Sequence, residues 1–409
     1  MHNRMAPSGQ NRKLTRLSTI HPYPAMIADE LAIALAEKYV VPGAKVLDPF
    51  SGTGRTLTAA AALGADCVGM DVNPLAVLIA RAKIATASPD VEALMRRSRQ
   101  FRGKSFAYLE FEPGRKVSWF SNSVRTELTE IVNWLNSESL NRETRNFLAA
   151  IVSATTREVS YCRKDQWKLH RMSLESRSKH NGSAWEVYER RLRRAAGDIS
   201  RGGMQLGSMR DYLGDCTRMA DLRRCAKNQT FNLLITSPPY GDSRSTVSYG
   251  DVSSLCLGVL QHLTGLNISF FSASNLDRRC LGGREQAKVS ELEDIGQYWA
   301  GGSLNPARKR VSSFLSDMSK ACTQTNRLMD KGARAIFVVS RRKVGGRRLY
   351  LDRFLSKEMS KLGFGLEGVE KRKLEGKNTP LIINSGGSVN VNIPTPTMRE
   401  EIILCFSRS

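Results

Sequence analysis

Ala44-Lys45-Val46-Leu47-Asp48-Pro49-Phe50-Ser51-Gly52-Thr53-Gly54 is the stretch that decides the reading of this 409-residue chain. A short apolar run over 44–48 ends at a turn-rich SGTG, the pattern of a buried strand feeding a helix. The helix is predicted over 55–63, rich in alanine and leucine, with Gly64 at its C′ position. Residues 66–70 read as a second buried strand ending at Asp71. Pro74 suits the first turn of another helix, running to about Ile84. Strand, helix, strand, helix opens a parallel, doubly wound α/β sheet.

Beyond residue 84 that rhythm stops. Residues 90–205 carry helical patterns at 124–136, 143–159 and 184–196 and no good strand pair, so they are read as an inserted helical region and the candidate for target recognition. Strands resume at 209–213, 231–236 and 334–340. An amphipathic helix over 350–362, closed by Gly363, precedes a final strand pair at 365–371 and 401–407. The expected organisation is a catalytic domain in three pieces (1–89, 206–240 and 331–409), interrupted at 90–205 and by a second, weakly patterned insertion at 241–330 with DNA-contact loops. The asparagine- and proline-rich loop 378–397 is also expected to reach toward the substrate.

Glycines in the 52–54 loop let backbone approach a ligand, and Asp71, at the end of the next strand, is placed to accept hydrogen bonds from ribose hydroxyls. A dinucleotide site would want a third glycine near position 57, where Leu57 stands, which tilts the reading away from NAD. The plain alternative is a tight turn with no ligand.

The motif 48–54 resembles the cofactor loop of the amino-methylating DNA methyltransferases, the cytosine-N4 and adenine-N6 family. Gly69-Met70-Asp71-Val72-Asn73-Pro74 is similar to its second motif, and His21-Pro22-Tyr23-Pro24-Ala25 to the segment that precedes the loop in many members. The resemblance implies a Rossmann-like, seven-stranded, mostly parallel methyltransferase sheet and S-adenosylmethionine as cofactor. It places Asp48 near the methionine amino group, Phe50 beside the methionine moiety, Asp71 on the ribose and Asp215 on the adenine amine. Pro49, Gly52, Thr53, Gly54, Val72 and Asn73 complete the expected cofactor site.

Thr236-Ser237-Pro238-Pro239-Tyr240 follows the apolar run FNLLI and is the most specific feature of the chain. A nucleobase amine is a poor nucleophile because its lone pair is delocalised into the ring. Acceptors for both amine hydrogens favour a pyramidal nitrogen; the Ser237 hydroxyl and the Pro238 carbonyl can be those acceptors. Two prolines fix φ and stiffen the loop, and Tyr240 offers a face for an extruded base. Positioning then matters more than a strong base, and no general base is assigned. In the resembling family serine at the first position goes mostly with cytosine N4, so that base is the leading target of a restriction-modification type enzyme, with a cognate restriction enzyme as an expected partner. Adenine N6 is the alternative, then an RNA substrate, then a non-catalytic DNA-binding protein. Methylation at C5 needs a cysteine nucleophile, in its family from a Pro-Cys pair, and none of the 14 prolines precedes cysteine.

Lysine and arginine number 62 against 39 acidic residues, for a net charge of +23, which asks for a polyanionic partner, DNA first. Residues 157–194 hold eleven basic side chains against five acidic ones, interleaved with Tyr161, Trp167, Trp185 and Tyr188; residues 308–348 hold twelve against two. Arg341, Arg342 and Lys343, just past a predicted strand, are expected on phosphates. Arg244 and Tyr249, just past SPPY, are expected to touch the nucleic acid. The eight cysteines form no CxxC pair or zinc-ligand spacing, so neither disulfides nor metal are expected. No apolar leader or membrane-length run is present, which predicts a cytoplasmic protein without membrane contact.

Overall fold

Strands whose side chains are buried on both faces need helices above and below them, and the sequence supplies both. The computed structural model describes residues 20–24, 26–84, 89–112, 118–163, 169–200, 207–241, 249–266, 273–283, 295–302, 304–373 and 400–409. Strands β1 (Lys45–Asp48), β2 (Asp66–Asp71), β3 (Met209–Leu213), β4 (Phe231–Thr236) and β5 (Met329–Val339) run parallel in the order β3-β2-β1-β4-β5. A short antiparallel hairpin follows, β6 (Lys343–Val344) and β7 (Arg347–Arg348), turned by Gly345 and Gly346 at φ 56° and 78°. Strand β8 (Phe364–Lys373) closes the sheet at its far edge, and β9 (Glu400–Arg408) lies antiparallel between β5 and β8, giving seven strands. This is the seven-stranded, mostly parallel sheet the sequence predicts, with β5 beginning five residues earlier than the predicted 334.

The chain works outward from β1 to β3, then crosses back to β4. The carboxyl ends of β1 and β4 therefore flank the switch point at which doubly wound sheets bind ligands. One sheet face buries Leu47, Leu234, Phe337 and Phe406 under the helices Arg308–Asn326 and Leu351–Lys361. The other buries Val46, Leu233 and Ile336 under Asp29–Tyr39 and Arg55–Ala61. The helix Asp29–Tyr39 was not predicted. Nor was Arg308–Asn326, whose packing on the sheet means the catalytic core resumes before residue 331.

Helices Asn122–Ser137, Arg142–Val159 and Ala184–Ser200 extend the three predicted in the insertion by a few residues. Ser121 and Asn141 cap the first two, their side chains accepting from the Val124 and Thr144 N–H groups at 3.2 and 2.8 Å. The insertion is not a separate body: Trp134, Phe147, Ile151 and Tyr188 share one apolar cluster with Leu75 and Ile79 of the sheet helix Pro74–Ala82. This corrects one expectation. Trp185 and Tyr188 are buried against Trp134 and are core residues, because the helical repeat turns them away from the basic side chains. Arg190 and Arg191 pair with Glu158, and Arg193 with Glu92. Trp167, Arg244 and the loop 378–397 lie outside the described residues.

Among the described residues no helix is long and apolar enough to cross a membrane, and no group of three or more His, Cys, Asp or Glu could hold a metal. All eight cysteines are buried and none forms a disulfide.

Candidate active site

Where β1 ends, the chain turns through Gly52 at φ 53° and Gly54 at φ 72°. The left-handed φ of Gly54 favours glycine, and a Cβ there would also crowd Ala80 Cβ at 3.0 Å and the tip of the Met209 side chain. Asp71, at the end of β2, ties the turn down. Its Oδ2 accepts from the Gly52 N–H at 3.0 Å and its Oδ1 from the Asn73 N–H at 2.7 Å. Lys83, buried behind the loop, donates to the Thr53 carbonyl at 2.6 Å; burial, and then the nearby Arg55, lower its amine to about 7.

A hydrogen bond joins the end of β1, where the Gly52 loop begins, to the residue just before SPPY. The Thr236 hydroxyl, last in β4, donates to Asp48 Oδ1 at 2.6 Å across 188 residues of sequence. Asp48 also accepts from the Thr56 hydroxyl and, at 3.1 Å, from the Phe50 N–H. Burial pushes the Asp48 and Asp71 carboxyls up to about 6, against the pull of these hydrogen bonds. Among the described residues neither is paired with a cation.

Both loops open onto one cavity of about 170 Å³. It brings together Asp48, Pro49, Phe50, Gly52, Thr53, Asp71, Val72, Asn73 and Asp215 with Ser237, Pro238, Pro239 and Tyr240, and it adds Tyr249 and Arg342 from the expected nucleic-acid set. Gly54 lies behind the cavity, at the N-cap of Arg55–Ala61. The Asn73 side chain is committed to the fold: its Nδ2 donates to the Tyr23 and Ser253 hydroxyls at 2.7 and 2.9 Å, and its Oδ1 caps Pro74–Ala82 through the Leu75 N–H. Asp215 accepts from the Thr217 N–H and hydroxyl at 3.0 and 2.6 Å. Inside SPPY, the Ser237 and Tyr240 hydroxyls lie 3.1 Å apart, and burial raises the Tyr240 phenol, so it stays protonated.

Two expected contacts are placed differently. Tyr249 stacks on Tyr23 with centroids 6.2 Å apart, forming part of the cavity wall. Arg341 is held by Asp352 at 2.6 Å and lies over the Tyr350 ring, so its charge is already matched. Lys343 stands in the hairpin, outside the cavity. The sequence reading missed Met26, Arg279, Cys280, Leu281 and Glu401 as lining residues. Tyr23 sits in the quoted HPYPA motif and could have been taken; no local signal marks the others.

The residues fit S-adenosylmethionine. Three carboxylates and an aromatic ring face one slot, and the two buried acids lack a cationic partner that a sulfonium and an ammonium group would supply.

Comparison with known proteins points the same way. The N6/N4 family described as DNA methylase matches residues 3–82. The Type II methyltransferase M.MvaI of Kocuria varians is 27% identical over 427 positions, covering 94% of this chain and 89% of that protein. The Type II methyltransferase M.BsoBI of Geobacillus stearothermophilus is 26% identical over 171 positions, 40% of this chain and 33% of that one. Among solved structures, the rRNA methyltransferase aviRa of Streptomyces viridochromogenes covers 99% of this chain and 94% of its own at 10% identity and a TM-score of 0.35, a likeness too distant to bear on substrate.

Proposed function

We propose that this chain, which belongs to the N4/N6 amino-DNA methyltransferase family and uses S-adenosylmethionine, methylates the exocyclic N4 amine of a cytosine turned out of duplex DNA. The observation that carries the reading is the single cavity shared by the Gly52 loop and Ser237. Bound S-adenosylmethionine supplies an electrophilic methyl carbon on a positively charged sulfur. Asp48, Phe50, Asp71 and Asp215 hold it; the bond from Thr236 to Asp48 fixes the register between the holding loop and the loop that presents the base.

The Tyr240 phenol donates to Ser237 in the orientation that serves the reaction, leaving a Ser237 lone pair for one amine hydrogen. The Pro238 carbonyl takes the other, and the paired prolines keep both acceptors in place before the base arrives. Tyr240 and the Tyr23–Tyr249 stack give the extruded base aromatic surface. Serine at position 237 supports cytosine over adenine. The proposed DNA surface runs from Arg342 at the cavity mouth to Lys343 and the exposed Arg347 and Arg348 of the hairpin. The name Type II methyltransferase on both relatives supports a restriction-modification role, with a cognate restriction enzyme as partner.

The direct test incubates the protein with methyl-tritiated cofactor and duplex DNA and analyses the nucleosides. N4-methylcytosine is expected. N6-methyladenine would transfer the reading to adenine, and label on C5, or none on DNA, would sink it.

A further inference from the structure

The cavity is lined by four acidic residues, and one differs from the other three. Asp48, Asp71 and Asp215 each accept hydrogen bonds from the fold, whereas Glu401 Oε2 accepts none among the described residues. Glu401 is 3% exposed, and its Oε2, inaccessible to solvent, finds no donor among the described residues. An unbonded buried carboxyl oxygen is costly, and folds retain one where a ligand supplies the missing partner.

Topology explains why this glutamate is there. Strand β9 runs opposite to β5, with Val339 across from Ile402, so the first residues of β9 arrive at the edge where the parallel strands end. Glu401 thereby meets Ser237, Tyr240 and Arg342 around the same cavity. The Tyr240 phenol senses its charge.

We propose that Glu401 is the proton acceptor for the target amine. The inference rests on the amine-methylation reading above and adds a residue to it. As the amine nitrogen bonds to the methyl carbon, the carbon–sulfur bond breaks and its electron pair stays on sulfur. The nitrogen then carries one proton too many, and the Glu401 carboxylate takes it and releases it once the methylated base has left. Before transfer, the same oxygen shares, in a three-centre bond, the amine hydrogen that Ser237 accepts, which gives the orphan its partner.

Single-turnover methyl transfer by Glu401→Gln measures this against the full-length wild-type protein. The expected result is a rate lower by on the order of 10²-fold and unchanged cofactor affinity by calorimetry. Glu401→Leu, in parallel, is expected to melt no lower than wild type, because the Oε2 it removes finds no donor among the described residues. A wild-type rate in E401Q overturns the proposal, as does a loss of cofactor affinity or a lower melting temperature in E401L. Those results count only against Glu401 as long as the wild type methylates an exocyclic amine; absence of that product defeats the broader reading instead.

Discussion

On the side of the cavity formed by β1, β2 and β3, Asp48, Asp71 and Asp215 are bonded to backbone and hydroxyl donors before any ligand arrives. On the side formed by β9 and the connection after β5, Glu401 Oε2 has no donor among the described residues, and exposed cations stand on the hairpin that follows Arg342. The first wall is pre-arranged: its shape belongs to the fold, and a ligand meets groups already aimed. The second wall is unfinished: its polar groups are completed by something that comes and goes. A bound cofactor suits the first and a transient polyanion suits the second. Changes on the two sides should therefore fail differently, the first in stability and cofactor affinity together, the second in dealings with DNA alone.

The largest effect is expected from Asp48→Ala. It strips the acceptor from two threonine hydroxyls and one N–H in a buried site, which costs about 3 kcal/mol of stability. Because the Thr236 bond also sets the spacing of the two loops, cofactor affinity should fall with it. Denaturant unfolding and calorimetry read the two quantities; an unchanged unfolding midpoint would mean that the first wall is not pre-arranged.

The hairpin offers the converse. Lys343 and Arg348 face each other across the strands, a like-charge pair that costs stability unless an anion lies between them. The fold nevertheless holds the ribbon firmly, with the Trp299 indole donating to the Val344 carbonyl at 2.9 Å and the Asn305 amide to Gly345 at 3.2 Å. Arg347 and Arg348 take no ion pair among the described residues. Replacing both with alanine should weaken DNA binding by tens of fold at 0.1 M salt and flatten the log–log salt slope by about 2, as expected for two lost phosphate contacts. Stability and cofactor affinity should not move. A salt slope equal to that of the wild type would remove the hairpin from the DNA surface and leave the comparison resting on Glu401 alone.

The same division governs what could be read from sequence. Residues 44–74 declare themselves because a strand, a glycine turn and an acidic strand end are neighbours in the chain, and each is enforced by local geometry, as the left-handed φ of Gly54 illustrates. SPPY is legible for the same reason. Glu401 could not be read that way: it lies at the start of an antiparallel strand, and nothing near it in sequence says which strand it will join. In the basic stretch at 157–194 the two aromatics could not be placed, because composition does not record direction. Trp185 and Tyr188 share a helix with the arginines but point into the core, and Glu158 and Glu92 take up part of the charge. The bond between Thr236 and Asp48 depends on strand order, which no motif encodes.

The smallest effect concerns protons. Asp48 and Asp71 are raised from the ordinary 3.8 to about 6 by burial. A raised carboxyl keeps its proton in the fold after the unfolded chain has released its own. These groups therefore weaken the ligand-free protein as pH climbs from about 4 through 6, and the penalty is complete above that. A cation seated beside them favours the ionised forms, so cofactor binding should release protons below pH 6 and tighten between pH 5 and 7, on the order of tenfold for each carboxylate that ends ionised. Calorimetry at pH 5.5 in two buffers of different ionisation enthalpy should report proton release that vanishes by pH 7.5. Affinity that is flat or falling over that interval would mean that the charge of the ligand is met elsewhere, and that the first wall contributes shape without contributing electrostatics. By contrast, the loss expected on replacing Glu401 should appear in the rate of transfer and not in cofactor affinity, so the two walls can be told apart by which constant moves.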